Sequence, residues 1–238
     1  EPKTEILRFA QNLEVVLIEP EVALREYAGM VLGGGAAVTA AVDNRYSRSF
    51  LRAVPGLYPW AVLGKAWYHC TETQGGQPRF DTVVFDAPAT GHGLEMLQVP
   101  RVIREAAPPG LLRRDAEAAW QMFQDPAQSG VVVVSLPEEL PVSEAIELAA
   151  GIRGLGLPIA AAVLNARLPD LFAPDDACSP AFPPGSSAAA QKVLAIGRAR
   201  AAEQDEQQRQ EARFRTELGL PVWVLPWLSN ADTPSGAR

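Results

Sequence analysis

Cysteine is nearly missing: the 238 residues hold two, Cys70 and Cys178. They lie far apart with no paired spacing, which excludes a disulfide scaffold or a paired-cysteine zinc site and fits a reducing cytosol. Long hydrophobic runs are missing too. The apolar stretches Val131–Val134 and Pro158–Leu164 are far shorter than the roughly 20 residues a spanning helix needs, and no targeting segment is visible. Basic residues are outnumbered, 21 Lys and Arg against 28 Asp and Glu, for a net charge of -7 and a pI near 5.0. That balance argues against a general nucleic-acid or anionic-membrane surface. An initiator methionine is also lacking, and the chain opens on Glu1-Pro2-Lys3 rather than on a first strand. It reads as a fragment.

What is present is globular. Hydrophobic residues make up 47% and charged residues 21%, enough for one α/β domain with a substantial core. The expectation is a single domain over 1–238, with a mobile loop at 166–187 and a flexible tail at 227–238. The stretch from Arg79 to Leu97 organises the rest. A hydrophobic run, Thr82-Val83-Val84-Phe85, reads as a strand that delivers Asp86 into a loop of small residues, Ala87-Pro88-Ala89-Thr90-Gly91, and then into a helix. An acid at a strand end holds Mg²⁺ through water in phosphate-handling sites, and Gly91 and Gly93 let loop backbone close on a ligand. The same residues also read as an ordinary strand-turn-helix corner.

Elsewhere strands and helices alternate. Leu13–Ile18 reads as a strand, and Pro20-Glu21 opens a helix with proline and acid in its first turn. Gly33-Gly34-Gly35 has no following lysine with serine or threonine, so it reads as a linker or helix end. A helix is expected over 38–53, ended by Val54-Pro55-Gly56, and a core-packing helix from Trp60 to about Cys70. Val99-Pro100-Arg101 closes the loop-helix unit, and a further helix carries Leu111, Ala116, Trp120 and Phe123. Val131–Ser135 reads as a strand buried on both faces, as in a parallel sheet. Ala145, Ile146, Ala149 and Ile152 make a helix face, and Pro158–Asn165 is the next strand. Ser186-Ser187 caps a helix from Ala188 to Leu218, roughly 45 Å long at 1.5 Å per residue. Its polar middle, Glu203 to Arg213, predicts an exposed or protruding helix. Val222–Leu225 is the last strand, ending at Pro226. The pattern gives an α/β fold, a mostly parallel sheet flanked by helices with ligands at its strand carboxyl ends.

Asp86 through Leu97 resembles the switch II signature Asp-Thr-Ala-Pro-Thr-Gly-His-Thr-Leu-Arg-Leu-Leu of the arsenite/anion-transporting ATPase family, which includes the ATPases that target tail-anchored membrane proteins. Asp86, Thr90, Gly91, His92, Leu94 and Leu97 match in register. Ala87-Pro88-Ala89 stands for Thr-Ala-Pro, Gly93 for Thr, Glu95 for Arg and Met96 for Leu. Asn12-Leu13, Glu19-Pro20, Leu24-Arg25-Glu26-Tyr27 and the turn Leu136–Glu144 are similar to further family segments. The resemblance implies a P-loop NTPase-like fold that binds and hydrolyses ATP with Mg²⁺. It places Asp86 on the metal and water side, with Thr90 and Gly91 in the same loop. It also implies that Asn165 reads the adenine ring and that Pro226 and its neighbours line the base pocket.

As partners, the resemblance implies a second ATPase-family chain, identical or not, in a nucleotide-switched cytoplasmic dimer, and a further protein on which that dimer acts. Neither Gly-x-x-x-x-Gly-Lys-Ser/Thr nor the family's lysine-bearing variant occurs, and the switch I aspartate would lie before Glu1. Either those parts and the first strand precede residue 1 in the native polypeptide, or the chain is a non-catalytic partner or binding module of an active ATPase. The segment from Arg101 to Gln128, with Met122 as its one methionine, leaves no room for the methionine-rich client groove of the tail-anchored relatives. Cys178 alone cannot make the zinc clasp of others.

Overall fold

The computed structural model describes residues 6–31, 56–172 and 187–228. The triple glycine at 33–35, the helix expected over 38–53, Cys178, and most of the loop 166–187 and tail 227–238 lie outside the described residues. The chain divides into two compact units, 1–128 and 129–238, each described by itself.

The first unit begins with a hairpin, β1 (Ile6–Ala10) antiparallel to β2 (Leu13–Val16). The reading of the sequence has β2 but not β1. The turn Gln11-Asn12 sets Ala10 opposite Leu13, a register shift between Arg8 and Ala10 then puts Arg8 opposite Glu14, and their side chains meet at 3.4 Å. Helix α1 (Pro20–Val31) starts with proline at its first position, where no amide is needed, and with Glu21 in its first turn. Helix α2 (Leu57–Thr71) follows, then a short hairpin of β3 (Thr73–Gln74) and β4 (Gln77–Pro78) across Gly75-Gly76. Helices α3 (Thr90–Ala106) and α4 (Leu111–Gln124) complete the unit.

Its core is Trp60, fully buried, with Val99, Ala116 and Ala119, walled by Tyr27, Trp67, Ile103, Leu112 and Phe123. A tryptophan buries about 150–250 Å², so at about 25 cal/mol per Å² this one side chain contributes roughly 4–6 kcal/mol before entropy is counted. Ala23, Leu24 and Ala61 form a second cluster between α1 and α2.

Two expectations for this unit change. Pro100 does not close α3; it sits inside the helix, buried. An interior proline forfeits one hydrogen bond, which packing of its ring can offset. The helix stops at Ala107, whose ψ of 141° is what a residue before Pro108 is pushed into. The strand expected over Thr82–Phe85 is not in a ladder. Its period-2 burial survives, with Val83 and Phe85 half-buried and Val84 89% exposed. A strand needs a hydrogen-bonding neighbour as well as the right side chains, and among the described residues none is paired to this run.

The second unit is a three-stranded parallel sheet, ordered β5 (Val131–Ser135), β6 (Ile159–Arg167), β7 (Val222–Pro226). Helix α5 (Glu139–Gly154) crosses from β5 to β6, and α6 (Ala188–Leu218) from β6 to β7. Val142, Ala145, Ala149 and Ile152 bury one face of α5. This is an α/β fold, a parallel sheet flanked by helices, consistent with a P-loop NTPase-like architecture. Strand β5 is not buried on both faces, however: Val133 is 1% exposed but Val132 and Val134 are 49% and 59% exposed. An all-valine run has no polar residue to mark the open side.

The ends of α6 fall as the sequence predicts. Ser187 Oγ accepts the Ala190 amide at 3.3 Å, and Gly219, in the left-handed conformation at φ 60°, ends the helix. Its middle does not protrude. Ala201, Gln204, Gln207, Gln210, Phe214 and Leu218 form a buried stripe, while Val193 and Ile196 in the first turns are exposed. Polarity misleads here because Gln204 and Gln207 are buried with their amides bonded to the backbone at 168–172.

Candidate functional site

In the first unit, Asp86 lies exposed in the irregular run that leads into α3. Thr90 opens the helix at φ 50°, a left-handed conformation that costs a non-glycine residue about 1–2 kcal/mol. Strain of this kind clusters at ligand-binding turns. The N-cap, Ala89, has no side chain that can accept from the first amides. The leading N–H groups of a 17-residue helix, at exposed Thr90 and Gly91, therefore meet no side-chain acceptor at the positive end of its dipole. Such an end suits an anion. The two glycines divide the roles expected of them. A side chain on Gly91 would meet open space, whereas one on Gly93 would run into the Pro88 carbonyl. Open space lies beside Gly91, while Gly93 is held in close backbone packing.

The start of this run is fixed by a cluster that sequence reasoning missed. Arg79 Nη1 donates to Glu72 Oε1 at 2.6 Å, Nη2 donates to Glu14 Oε2 at 3.1 Å, and the Arg79 amide donates to the Glu72 carbonyl at 2.9 Å. The second Glu72 oxygen lies 3.0 Å from Nδ1 of buried His69, and the guanidinium covers the Phe80 ring at 4.8 Å. Burial pushes the Glu72 carboxyl up, but the bonds from Arg79 and His69 outweigh it and leave its pKa below the usual range. The signal was available: Gly75-Gly76 marks a two-residue hairpin, which sets residues 72 and 79 opposite each other.

In the second unit, Asn165 and Pro226 are brought together at the carboxyl ends of β6 and β7. Leu164 pairs with Val224, but the next pair is Arg167 with Pro226, so β6 carries one extra residue. The bulge is Asn165-Ala166, with Ala166 at φ 59°. Bulges re-aim side chains beside ligand sites, and Asn165 here is exposed while its neighbours Leu164 and Arg167 are buried. The Trp227 amide donates to the Arg167 carbonyl at 2.9 Å and seals the pair. The structure thus gathers Asp86, Thr90 and Gly91 in the first unit, and Asn165 and Pro226 in the second.

Among the described residues, no three His, Cys, Asp or Glu side chains come together as metal ligands. The donor set fits a Mg²⁺ ion held mainly by phosphate and water, with Asp86 acting through water, rather than a protein-built cage. Cys70 is free and half-buried, and burial pushes its thiol pKa up. No helix of the described residues is long and apolar enough to cross a membrane.

Comparison with known proteins bears out the resemblance. Residues 2–107 match the family model described as anion-transporting ATPase, a range that holds Asp86, Thr90 and Gly91 but not Asn165 or Pro226. Among curated proteins, ATPase BagA of Mycobacterium tuberculosis is 26% identical over 166 residues, 69% of this chain and 48% of the relative. A Mycobacterium bovis protein also named as an ATPase matches to the same extent. The chain spans about half the length of the curated relatives it matches.

Proposed function

We propose, from the match of residues 2–107 to anion-transporting ATPases, that this chain is the nucleotide-handling part of a Mg²⁺-dependent ATPase. The observation that carries the reading is the Asp86–Gly91 stretch inside the matched range: a carboxylate, then a strained Thr90 opening a helix whose first amides have no side-chain cap. Asp86 would hold Mg²⁺ through water, and the amides at Thr90 and Gly91 would take phosphate oxygens. Asn165 reads the adenine edge through its amide, and Pro226 with Trp227 offers the base an apolar wall. Bound Mg²⁺ supplies charge neutralisation on the transferring phosphoryl group.

Hydrolysis in this reading draws on a phosphate loop that these 238 residues do not contain. The working unit is a cytoplasmic dimer, switched by nucleotide toward a protein partner. The same missing loop favours a second reading, in which the chain is a non-catalytic partner that binds an active ATPase. The test is Asp86→Asn in the full-length native polypeptide. Loss of ATP hydrolysis on the order of 100-fold with an unchanged fold is expected from losing one aimed charge at the metal. Unaltered turnover overturns the Asp86 role, and a wild-type protein that binds no Mg²⁺-ATP leaves the non-catalytic reading in place.

A further inference from the structure

We propose that Arg167, Gln204 and Gln207 are positioning residues for Asn165, and that this frame sets which purine base the second unit accepts. The inference rests on the base-reading role proposed above for Asn165.

The conformation beside Asn165 is not one its own sequence favours. At φ 59° the Ala166 Cβ crowds the following carbonyl, and alanine has no polar side chain to offset this. The strand must therefore be held from both sides of the bulge. Before it, fully buried Leu164 pairs with Val224. After it, Arg167 does the holding with a side chain only 9% exposed. Its Nη1 donates to the Leu168 carbonyl at 2.6 Å and to Gln207 Oε1 at 3.2 Å, its Nη2 donates to Asp170 at 2.8 Å, and its Nε lies 3.5 Å from Glu211.

Helix α6 completes the frame. Gln207 Oε1 also accepts the Leu168 amide at 3.0 Å. Gln204 Oε1 accepts the amides of Leu171 and Phe172 at 2.8 and 3.2 Å, and its Nε2 donates to the Phe172 carbonyl at 2.8 Å. One turn earlier, Arg200 Nη2 donates to the Pro169 carbonyl at 2.6 Å. Positions 200, 204, 207 and 211 share one helix face. For packing alone, buried leucines would serve that face at lower desolvation cost than buried amides. What the glutamines add is direction: they bind the backbone leaving β6 atom by atom.

Base choice needs that direction. An asparagine amide carries a donor and an acceptor on the same plane, so by turning over it can pair with adenine or with guanine. An Asn on a loose loop discriminates poorly. One carried at a fixed angle and depth favours one purine, because the other leaves polar groups unpaired.

The test uses Gln207→Leu in the full-length native polypeptide, with mant-ADP and mant-GDP as probes, together with amide exchange and the Ala166 H^N–Hα coupling in nucleotide-free protein. Gln207→Leu is expected to speed exchange at the Leu168 amide at least tenfold, to shift the Ala166 coupling, and to cut the mant-ADP preference several-fold. Adding Ala166→Gly, which accepts positive φ without strain, should restore part of that preference; a core defect would not be rescued there. If Gln207→Leu fails to fold, Arg167→Lys, which keeps the charge but loses the fork, takes the same measurements. Unchanged Leu168 exchange and Ala166 coupling overturn the frame. Changed exchange with an intact base preference overturns its role in specificity. A wild-type chain that binds neither probe overturns the base-reading premise and the specificity claim with it, while exchange and coupling still decide the frame.

Discussion

The Pro88 carbonyl oxygen lies 2.5 Å from where a Cβ on Gly93 would stand. The proline comes one place earlier than in the family signature, and glycine stands where the signature has threonine; in this chain the two positions are in close backbone contact. Gly93→Ala would gain about 1 kcal/mol in helix propensity, but it would force apart a contact with rigid backbone, at about 1–3 kcal/mol. The loss wins. The urea midpoint is expected to fall with an unchanged slope, and a raised midpoint would refute the contact.

The Glu72 cluster carries an acid signature. The bonds from Arg79 and His69 leave its folded pKa below the ordinary value of 4.5, so its contribution is complete above about pH 4.5 and is lost as pH falls through the folded value. Glu72→Gln should flatten the stability profile in that acid range. Denaturant titrations at a series of pH values check it; parallel profiles for the two proteins would count against the cluster.

Tyr27 predicts the opposite limb. Burial, and then the neighbouring Asp115 carboxylate, push its phenol up to about 12. Its hydroxyl donates to Asp115 Oδ2 at 3.4 Å. The neutral form is favoured in the folded state, so the stabilisation is present below about pH 10 and is lost as pH rises from there toward 12. Tyr27→Phe keeps the edge-on contact with Trp60, at 6.2 Å and 85°, and should remove the alkaline slope. Tyrosinate absorbance followed against pH locates the titration.

These 238 residues should not supply an arsenite site that stimulates hydrolysis. Soft metalloids need several sulfur ligands, the 238 residues contain two cysteines, and burial pushes the Cys70 thiol pKa up, which disfavours the thiolate that would bind. Turnover across an arsenite titration, with and without Cys70→Ser/Cys178→Ser, decides this: a several-fold, cysteine-dependent rise would restore a metalloid-pump reading.

The second unit was legible because its signals are local. Val131–Val134 is β-branched, Ser187 and Gly219 cap α6 at both ends, and β5 and β6 are each followed by a helix. The Asp86 loop was legible through its wording. What failed to show depends on partners distant in sequence. Gln204 and Gln207 read as solvated because hydropathy does not register a buried amide satisfied by backbone more than 30 residues away. Thr82–Phe85 reads as a strand because its side chains alternate, yet a ladder is made by a neighbour. The Asn165-Ala166 bulge left no mark, since nothing in Leu-Asn-Ala-Arg asks for positive φ.

Pro100 gives α3 an uneven mechanical stiffness. The Met96 carbonyl has lost the amide it would have received from residue 100, so the rod is softest one turn below Val99, which is anchored against Trp60. A push at the Thr90 end is absorbed as bending at that joint, before it reaches the turns around Ile103 that pack on the core. The loop end can be displaced while the far end stays clamped, as a diving board flexes beyond its fulcrum.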